Sequence, residues 1–589
     1  MRIASRSWLV TALLAASLTW VGCHAGRQPA NELYLRQSHL PSEVPRYDVL
    51  ELAFQHNGVY RDNFFDADLK AVLTSPSGVE HQVQGFFYGR DLWMIRFRPD
   101  EPGTWSYSYF FTGTGGFRKQ GSGTFICLSS SQHGPVRRNL VDPFRWVLAD
   151  GKPFFPIGLQ DCVYIKDGRL KDFVIDGEDK SQPGRALSAD AYFLTYGQAG
   201  FNMFRFSQKN CSYSLFDDLD HYRVPESILT DELLSSARKN GFRIMFGFFG
   251  YHGRQLSDNR ALNVLERTAN HALGRPREAI EDPDNREVID KEKRFVAYCV
   301  ARWGVYADFW ELLNERKASD RWTTLMADYV RSVDPDHKPI STSWEKPNLP
   351  AIDINAPHWY ESENELSSDL RWQQLATRWK QAGKPVIVDE QGNTGMNWDP
   401  RSGVRMRIRS WTALFQEISA VFWNTSWLKQ GMHHGRYSPE EASNIYLGPE
   451  ERGYIRVLQT FADRLDCDIR MAPVSFDLPT PARAYGLVGK ETAGIYLQHA
   501  DTHSTALERA KIIVDFSSLG GHKPLQGEWI DPATGTVLSR VRISPGVAKL
   551  PVPPFKVDIA LQVSAAGTPS STGAKTTSER SALRPSSFS

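Results

Sequence analysis

Between residues 135 and 470, short runs of apolar, β-branched and aromatic residues alternate with longer stretches whose apolar positions recur at helical spacing. The short runs are Phe154 to Leu159, Phe201 to Phe206, Arg243 to Phe248, Asp308 to Glu315, Pro339 to Trp344, Ile352 to Tyr360, Pro385 to Glu390 and Ala420 to Asn424. Their hydrophobicity is nearly continuous, as in strands buried on both faces of a parallel sheet. Asp231 to Asn240, Lys291 to Trp303, Arg321 to Val333 and Leu366 to Ala382 read as intervening helices. Alternating β and α of this kind predicts one (β/α)8 TIM barrel.

On either side the period changes to two. Stretches such as Leu92-Trp93-Met94-Ile95-Arg96-Phe97 and Gly103-Thr104-Trp105-Ser106-Tyr107-Ser108 predict an antiparallel sandwich over 47–132. Gly494-Ile495-Tyr496-Leu497-Gln498 and the turn after Glu528-Trp529-Ile530 predict a second one over 472–564. The fold class expected is therefore multidomain, a central TIM barrel flanked by two all-β sandwich domains. Residues 24–46 read as a linker, and the Ser-, Thr- and Pro-rich segment 565–589 as a disordered tail.

The N-terminus carries Arg2 and Arg6, then an apolar run from Trp8 to Val21, then Gly22-Cys23. The run is too short for a membrane span and predicts a secretory signal over 1–23. Val21-Gly22-Cys23 resembles the end of a bacterial lipobox, although Trp20 stands where that pattern usually has Leu; the resemblance implies lipidation of Cys23 and an envelope location, with the lipid as the sole membrane contact.

Composition narrows the function mainly by exclusion. At 589 residues the chain is too long for one domain, and a formal net charge of +1 gives no reason to invoke nucleic acid as a partner. The cysteines after Cys23 are Cys127, Cys162, Cys211, Cys299 and Cys467; they are scattered and odd in number, which argues against a disulfide framework but leaves a Cys162–Cys211 pair open. No nucleotide-binding glycine motif, zinc spacing or Gly-x-Ser-x-Gly elbow is present. Glu281-Asp282-Pro283-Asp284 lacks the glycine of a calcium loop, and His433-His434 lacks ligand spacing, so neither a metal nor a cofactor is expected.

Candidate chemistry lies at the ends of two strands. Phe309-Trp310-Glu311-Leu312-Leu313-Asn314-Glu315 and Pro385-Val386-Ile387-Val388-Asp389-Glu390 are apolar runs that finish on a glutamate, where a barrel strand opens at its catalytic mouth. A retaining glycosidase needs such a pair, one protonated carboxyl and one carboxylate roughly 5–5.5 Å apart. Glu390, as nucleophile, needs donors that keep it ionised, and Arg205 and Tyr360 are of the right types. Glu315, as acid and then base, needs its proton favoured by the charge of Glu390 and by burial beside Trp310 or Trp359. Gln160 and Asp161 after the first strand are candidate sugar ligands. So are Trp423 and Trp427, which offer indole faces to a sugar. With 17 Trp in the chain, there are enough for both core and subsites.

On these residues the chain resembles the glycoside hydrolases of clan A, and more closely their apiosidase-like members, over roughly residues 135 to 470. Arg205 matches the clan's Arg after strand two, Asn314-Glu315 its Asn-Glu after strand four, His358 and Tyr360 its His or Tyr after strand six, Glu390 its nucleophile after strand seven and Trp423 its Trp after strand eight. The resemblance implies Glu315 as acid/base, Glu390 as nucleophile, and Asn314 as partner of the sugar 2-hydroxyl. Poly- or oligosaccharide is the substrate expected. The second reading is a non-catalytic glycan-binding surface lipoprotein on a barrel scaffold; that reading gives no reason for the glutamate pair.

Overall fold

The computed structural model describes residues 33–160, 164–166, 169–171, 173–175, 185–207, 216–250, 283–315, 317–360, 364–392, 402–423, 447–521 and 523–565. Its centre is an eight-stranded parallel sheet. In chain order the strands are β1 (Ile157–Gln160), β2 (Met203–Ser207), β3 (Arg243–Phe249), β4 (Ala307–Leu313), β5 (Ile340–Ser341), β6 (His358–Tyr360), β7 (Ile387–Gly392) and β8 (Ser419–Trp423). Their order across the sheet, β5-β4-β3-β2-β1-β8-β7-β6, is that of a sheet curling on itself in a TIM-like domain. At the seam, the amides of Asp353 and Ile354 bond Ile340 O (2.8 and 3.2 Å), while Asn355 pairs with the start of β7. The segment before β6 therefore bridges the two edges.

Helices follow most strands: α1 (Ala189–Gln198), α2 (Val224–Lys239), α3 (Arg286–Trp303), α4 (Asp320–Val333), α5 (Ser368–Trp379), α6 (Ser402–Phe415) and α7 (Pro449–Ala462). Local chemistry sets several starts. Ser188, Asn285 and Ser319 accept from backbone amides as N-caps of α1, α3 and α4, and Pro225 and Pro449 occupy the first turns of α2 and α7. Among the described residues no helix separates β5 from β6.

Two layers of side chains fill the curl. Met203, Met245, Phe309, Ile387 and Val421 form an apolar floor, closed below by Val136, Trp146 and Leu148 from a short three-stranded sheet. One step of two residues further along β2, β4 and β7 stand Arg205, Glu311 and Asp389, all fully buried. Intervening residues such as Trp310 and Trp359 pack outward against the helical layer.

The stretch read as a linker contributes structure instead: Leu35–His39 and Glu43–Pro45 are strands paired to Leu50–His56 and Arg118–Leu128. Their apolar inward residues, Leu35 and Val44, join the cluster of Leu50, Phe54, Trp93 and Trp105 that a four-stranded and a five-stranded sheet share. After the barrel helices, a six-stranded and a three-stranded sheet enclose another cluster that includes Ile495, Val514, Trp529 and Leu561. Buried ion pairs dock both units. Arg96 and Arg302 grip Asp231 (2.8 and 2.6 Å) on the N-terminal side, and Arg407 and Tyr496 grip Asp558 (2.9 and 3.1 Å) on the C-terminal side.

Candidate active site

Arg205 organises the upper layer. Its Nε and Nη2 donate to the two oxygens of Glu311 (3.1 and 2.6 Å), Nη2 also to Asn314 Oδ1 (2.5 Å), and Nη1 to Glu390 Oε1 (2.5 Å) and to Gln160 Oε1. A guanidinium has five N–H groups, and these contacts occupy all of them. Gly247 on β3 makes the arrangement possible: a Cβ there would lie 2.5 Å from Ser207 Oγ and 2.9 Å from Glu311 Oε2.

Glu390 accepts a second hydrogen bond on Oε2, from the Tyr360 hydroxyl. Asp389 and Glu390 are consecutive yet both reach the interior, because the pairing of β7 with β8 slips between Val388 and Gln391. Such an irregularity re-aims side chains that strict alternation would send to opposite faces. Burial pushes the Glu390 carboxyl up, but the charges of His358 and Arg205 and the hydrogen bonds from Tyr360 and Arg205 outweigh it, and the carboxyl is held below its ordinary value.

His358 stands between the two glutamates. Nδ1 lies 2.9 Å from Glu315 Oε1 and 3.3 Å from Glu390 Oε2, and Nε2 is 3.3 Å from Asp389 Oδ1. Burial lowers the affinity of the imidazole for its second proton, but Glu390, Asp389 and the hydrogen bond to Glu315 prevail and push its pKa to about 9. Glu315, two residues beyond β4, has backbone φ +48°, a left-handed conformation uncommon outside glycine. Oxygens of Glu315 and Glu390 lie within 4.8 Å of each other.

Two sets of three donors, Glu311–His358–Asp389 and Glu315–His358–Glu390, each converge within 4.8 Å. Spacing along the sequence shows no ligand cluster, so this convergence corrects that expectation: it is made by β4, β6 and β7 from distant segments. With its pKa pushed to about 9, His358 stands at neutral pH as a counter-charge to Glu390 and is hydrogen-bonded through Nδ1 to Glu315.

The site thus brings together Arg205, Asn314, Glu315, His358, Tyr360, Glu390 and Gln160. Gln160 accepts from Arg205. Asn314 is buried, and its Nδ2 has no partner among the described residues, a donor free for a bound hydroxyl. Trp423 ends β8 half-buried. Trp310 and Trp359 do not flank Glu315 as expected: they face outward, Trp310 onto Phe248 with its indole N–H on Asp334, and Trp359 against Trp372. Asp161, Trp427, His433, His434, Cys23 and the Cys162–Cys211 pair lie outside the described residues. Glu311, Ser343 and Asp389 were missed. An acid inside a run buried on both faces, as Glu311 is, needs a cation opposite it, and that was the available signal.

Residues 43–112 match a family model described as a domain of unknown function, DUF5060. No curated protein matches the chain. Among solved structures, the chain is similar to a "putative glycoside hydrolase" from Bacteroides vulgatus ATCC 8482, at 19% identity and TM-score 0.59, over 89% of this chain and 100% of that one. It is also matched to a family 39 glycoside hydrolase from Bacteroides cellulosilyticus WH2 (12%, TM-score 0.42, 90% and 99%) and a GH30 endoxylanase from Clostridium papyrosolvens C71 (11%, TM-score 0.40, 71% and 98%). At such identity the first likeness is one of fold.

Proposed function

We propose that this chain is a secreted retaining glycoside hydrolase of the clan A type acting on poly- or oligosaccharides, with Glu390 as nucleophile and Glu315 as acid/base. The observation that carries the reading is the pairing of a buried, ionised Glu390 with a more accessible Glu315 whose oxygen lies within 4.8 Å of it. That spacing favours double displacement, since inversion leaves roughly 6.5–9.5 Å for a water between the carboxyls. Glu390 attacks the anomeric carbon as Glu315 protonates the leaving oxygen. Once Glu390 is esterified its charge is gone, and Glu315, now a carboxylate beside His358, takes a proton from the attacking water. Asn314 Nδ2 donates to the sugar, Gln160, Asp161, Trp423 and Trp427 complete the subsites, and Arg205 and Tyr360 keep Glu390 charged.

The glycoside hydrolase description of the Bacteroides vulgatus neighbour supports this class of activity. The domains in this reading are 1–23 as a lipoprotein-type signal with lipidated Cys23, 33–132 and 472–564 as β-sandwiches, the first extended by the strands Leu35–His39 and Glu43–Pro45, and 135–470 as the catalytic barrel. The test is a panel of aryl glycosides and polysaccharides, with the first-formed anomer followed by NMR. Hydrolysis with retention, lost in Glu390→Gln, is expected. Inversion, or unchanged turnover by the variant, overturns the assignment.

A further inference from the structure

The Ser343 hydroxyl stands between two carboxyl groups, 2.9 Å from Glu311 Oε1 and 2.8 Å from Asp389 Oδ2. Its backbone N–H bonds Leu313 O at 2.9 Å, which ties the turn after β5 to the end of β4. Ser343, Glu311 and Asp389 are all buried. A serine hydroxyl has one hydrogen to donate, and an ionised carboxylate has none. Two hydrogen bonds at these distances therefore require a proton on one of the carboxyls.

The rest of the network decides which. Glu311 already accepts from Arg205 on both of its oxygens, which fits it as the acceptor of the pair rather than the donor. The five N–H groups of Arg205 are consumed by Glu311, Asn314, Gln160 and Glu390, and none is left for Asp389, whose Oδ2 lies 3.6 Å from Nε. Asp389 Oδ1 has no hydrogen-bond partner among the described residues, and the 3.3 Å approach of His358 Nε2 leaves both atoms without one. Glu390 is already held by Arg205 and Tyr360.

We infer that Asp389 is a neutral acid that donates through Oδ2–H to Ser343 Oγ, while Ser343 donates to Glu311, so that Asp389 acts as a positioning residue for the Arg205 that holds Glu390. Its link to catalysis rests on the function proposed above; its protonation does not. The electrostatics agree: burial is the largest cause of a strong upward push on the Asp389 carboxyl, and Glu311 and Glu390 add to it against the pull of Arg205 and His358. The Tyr360 phenol is pushed up by burial and by Glu390 and stays neutral. Charge then balances in the buried layer, with Arg205 and protonated His358 facing Glu311 and Glu390. An ionised Asp389 would add a third negative charge to that layer at a high desolvation cost.

Infrared spectra of the full chain labelled with 13C at the aspartate side-chain carboxyl test this without any substrate. At pH 7 an isotope-sensitive C=O band of a protonated carboxyl is expected, lost in Asp389→Asn and shifted to higher frequency in Ser343→Ala, where the acid loses its acceptor. No such band in the folded wild type, or a band that survives in Asp389→Asn, overturns the inference. If Asp389→Asn fails to fold, Ser343→Ala decides alone, and an unshifted band there contradicts the relay. Failure to cleave any glycan while the band behaves as expected counts against the proposed function and leaves the protonation of Asp389 standing.

Discussion

The two glutamates at the mouth of the sheet live in contrasting surroundings. The Glu390 side chain is 4% exposed and is held on both oxygens, by Arg205 and Tyr360, on a strand whose neighbour Asp389 belongs to the same buried network. The Glu315 side chain is 34% exposed, stands on a left-handed residue past the end of its strand, and takes its described hydrogen bond from His358. The contrast suits the two proposed roles: an attacking group benefits from one fixed, charged geometry, whereas a group that gives up a proton and retrieves it from water has to meet solvent. His358, bonded to one and 3.3 Å from the other, couples the two halves.

Substitutions should separate these environments, beginning with the largest effect. Glu390→Gln is expected to reduce kcat on the order of 10^4–10^6-fold with the fold retained, measured on whichever aryl glycoside the wild type cleaves. Glu315→Gln is expected to cost less, about 10^2–10^4-fold, and least on substrates with good leaving groups, because acid assistance is what it removes. Equal losses across leaving groups would argue against the acid role.

Arg205→Ala acts on stability as well as activity. It strands Glu311 and unpairs Glu390, and breaking a buried pair in this way costs about 3–5 kcal/mol, readable in denaturant melts. His358 contributes a pH-dependent share. Its pKa rises from 6.5 to about 9 on folding, so the stability it adds is present in full below about pH 6.5 and is lost as pH climbs through about 9. His358→Gln should remove that alkaline decline. Glu390 has the opposite sign: its pKa falls below 4.5 on folding, so its contribution is present above that value and is lost on acidification. Gly247→Ala is the mildest change, pressing a methyl toward Ser207 and Glu311 at a cost of about 1–3 kcal/mol.

Much of this site was legible in the sequence because it follows rules of strand placement. Continuous apolar runs marked the strands, and a glutamate at the end of a run marked the mouth; Arg205, Asn314, His358, Tyr360 and Glu390 do meet there. Glu315 lies beyond its strand rather than within it. What could not be read were consequences of register and side-chain direction. Alternation along β7 would send Asp389 and Glu390 to opposite faces, and the slip in pairing with β8 has no signature in residue types. Ser343 is one serine among many until the turn after β5 places it over Glu311 and Asp389. Trp310 and Trp359 looked like neighbours of Glu315 by proximity in sequence, yet period two directs them into the helical layer. Over residues 33–46 the linker reading gives way for a related reason: short strands such as Leu35–His39 carry few apolar residues and take their partners from elsewhere in the chain.

The most direct test of the account is covalent trapping. A 2-deoxy-2-fluoro glycoside of the cleaved sugar, with an activated leaving group, should accumulate the glycosyl-enzyme, and mass spectrometry of a digest should place one glycosyl unit on the peptide carrying Glu390, with none in Glu390→Gln. A glycosyl unit on another carboxylate, or turnover of normal substrate with inversion at the anomeric carbon, would contradict it.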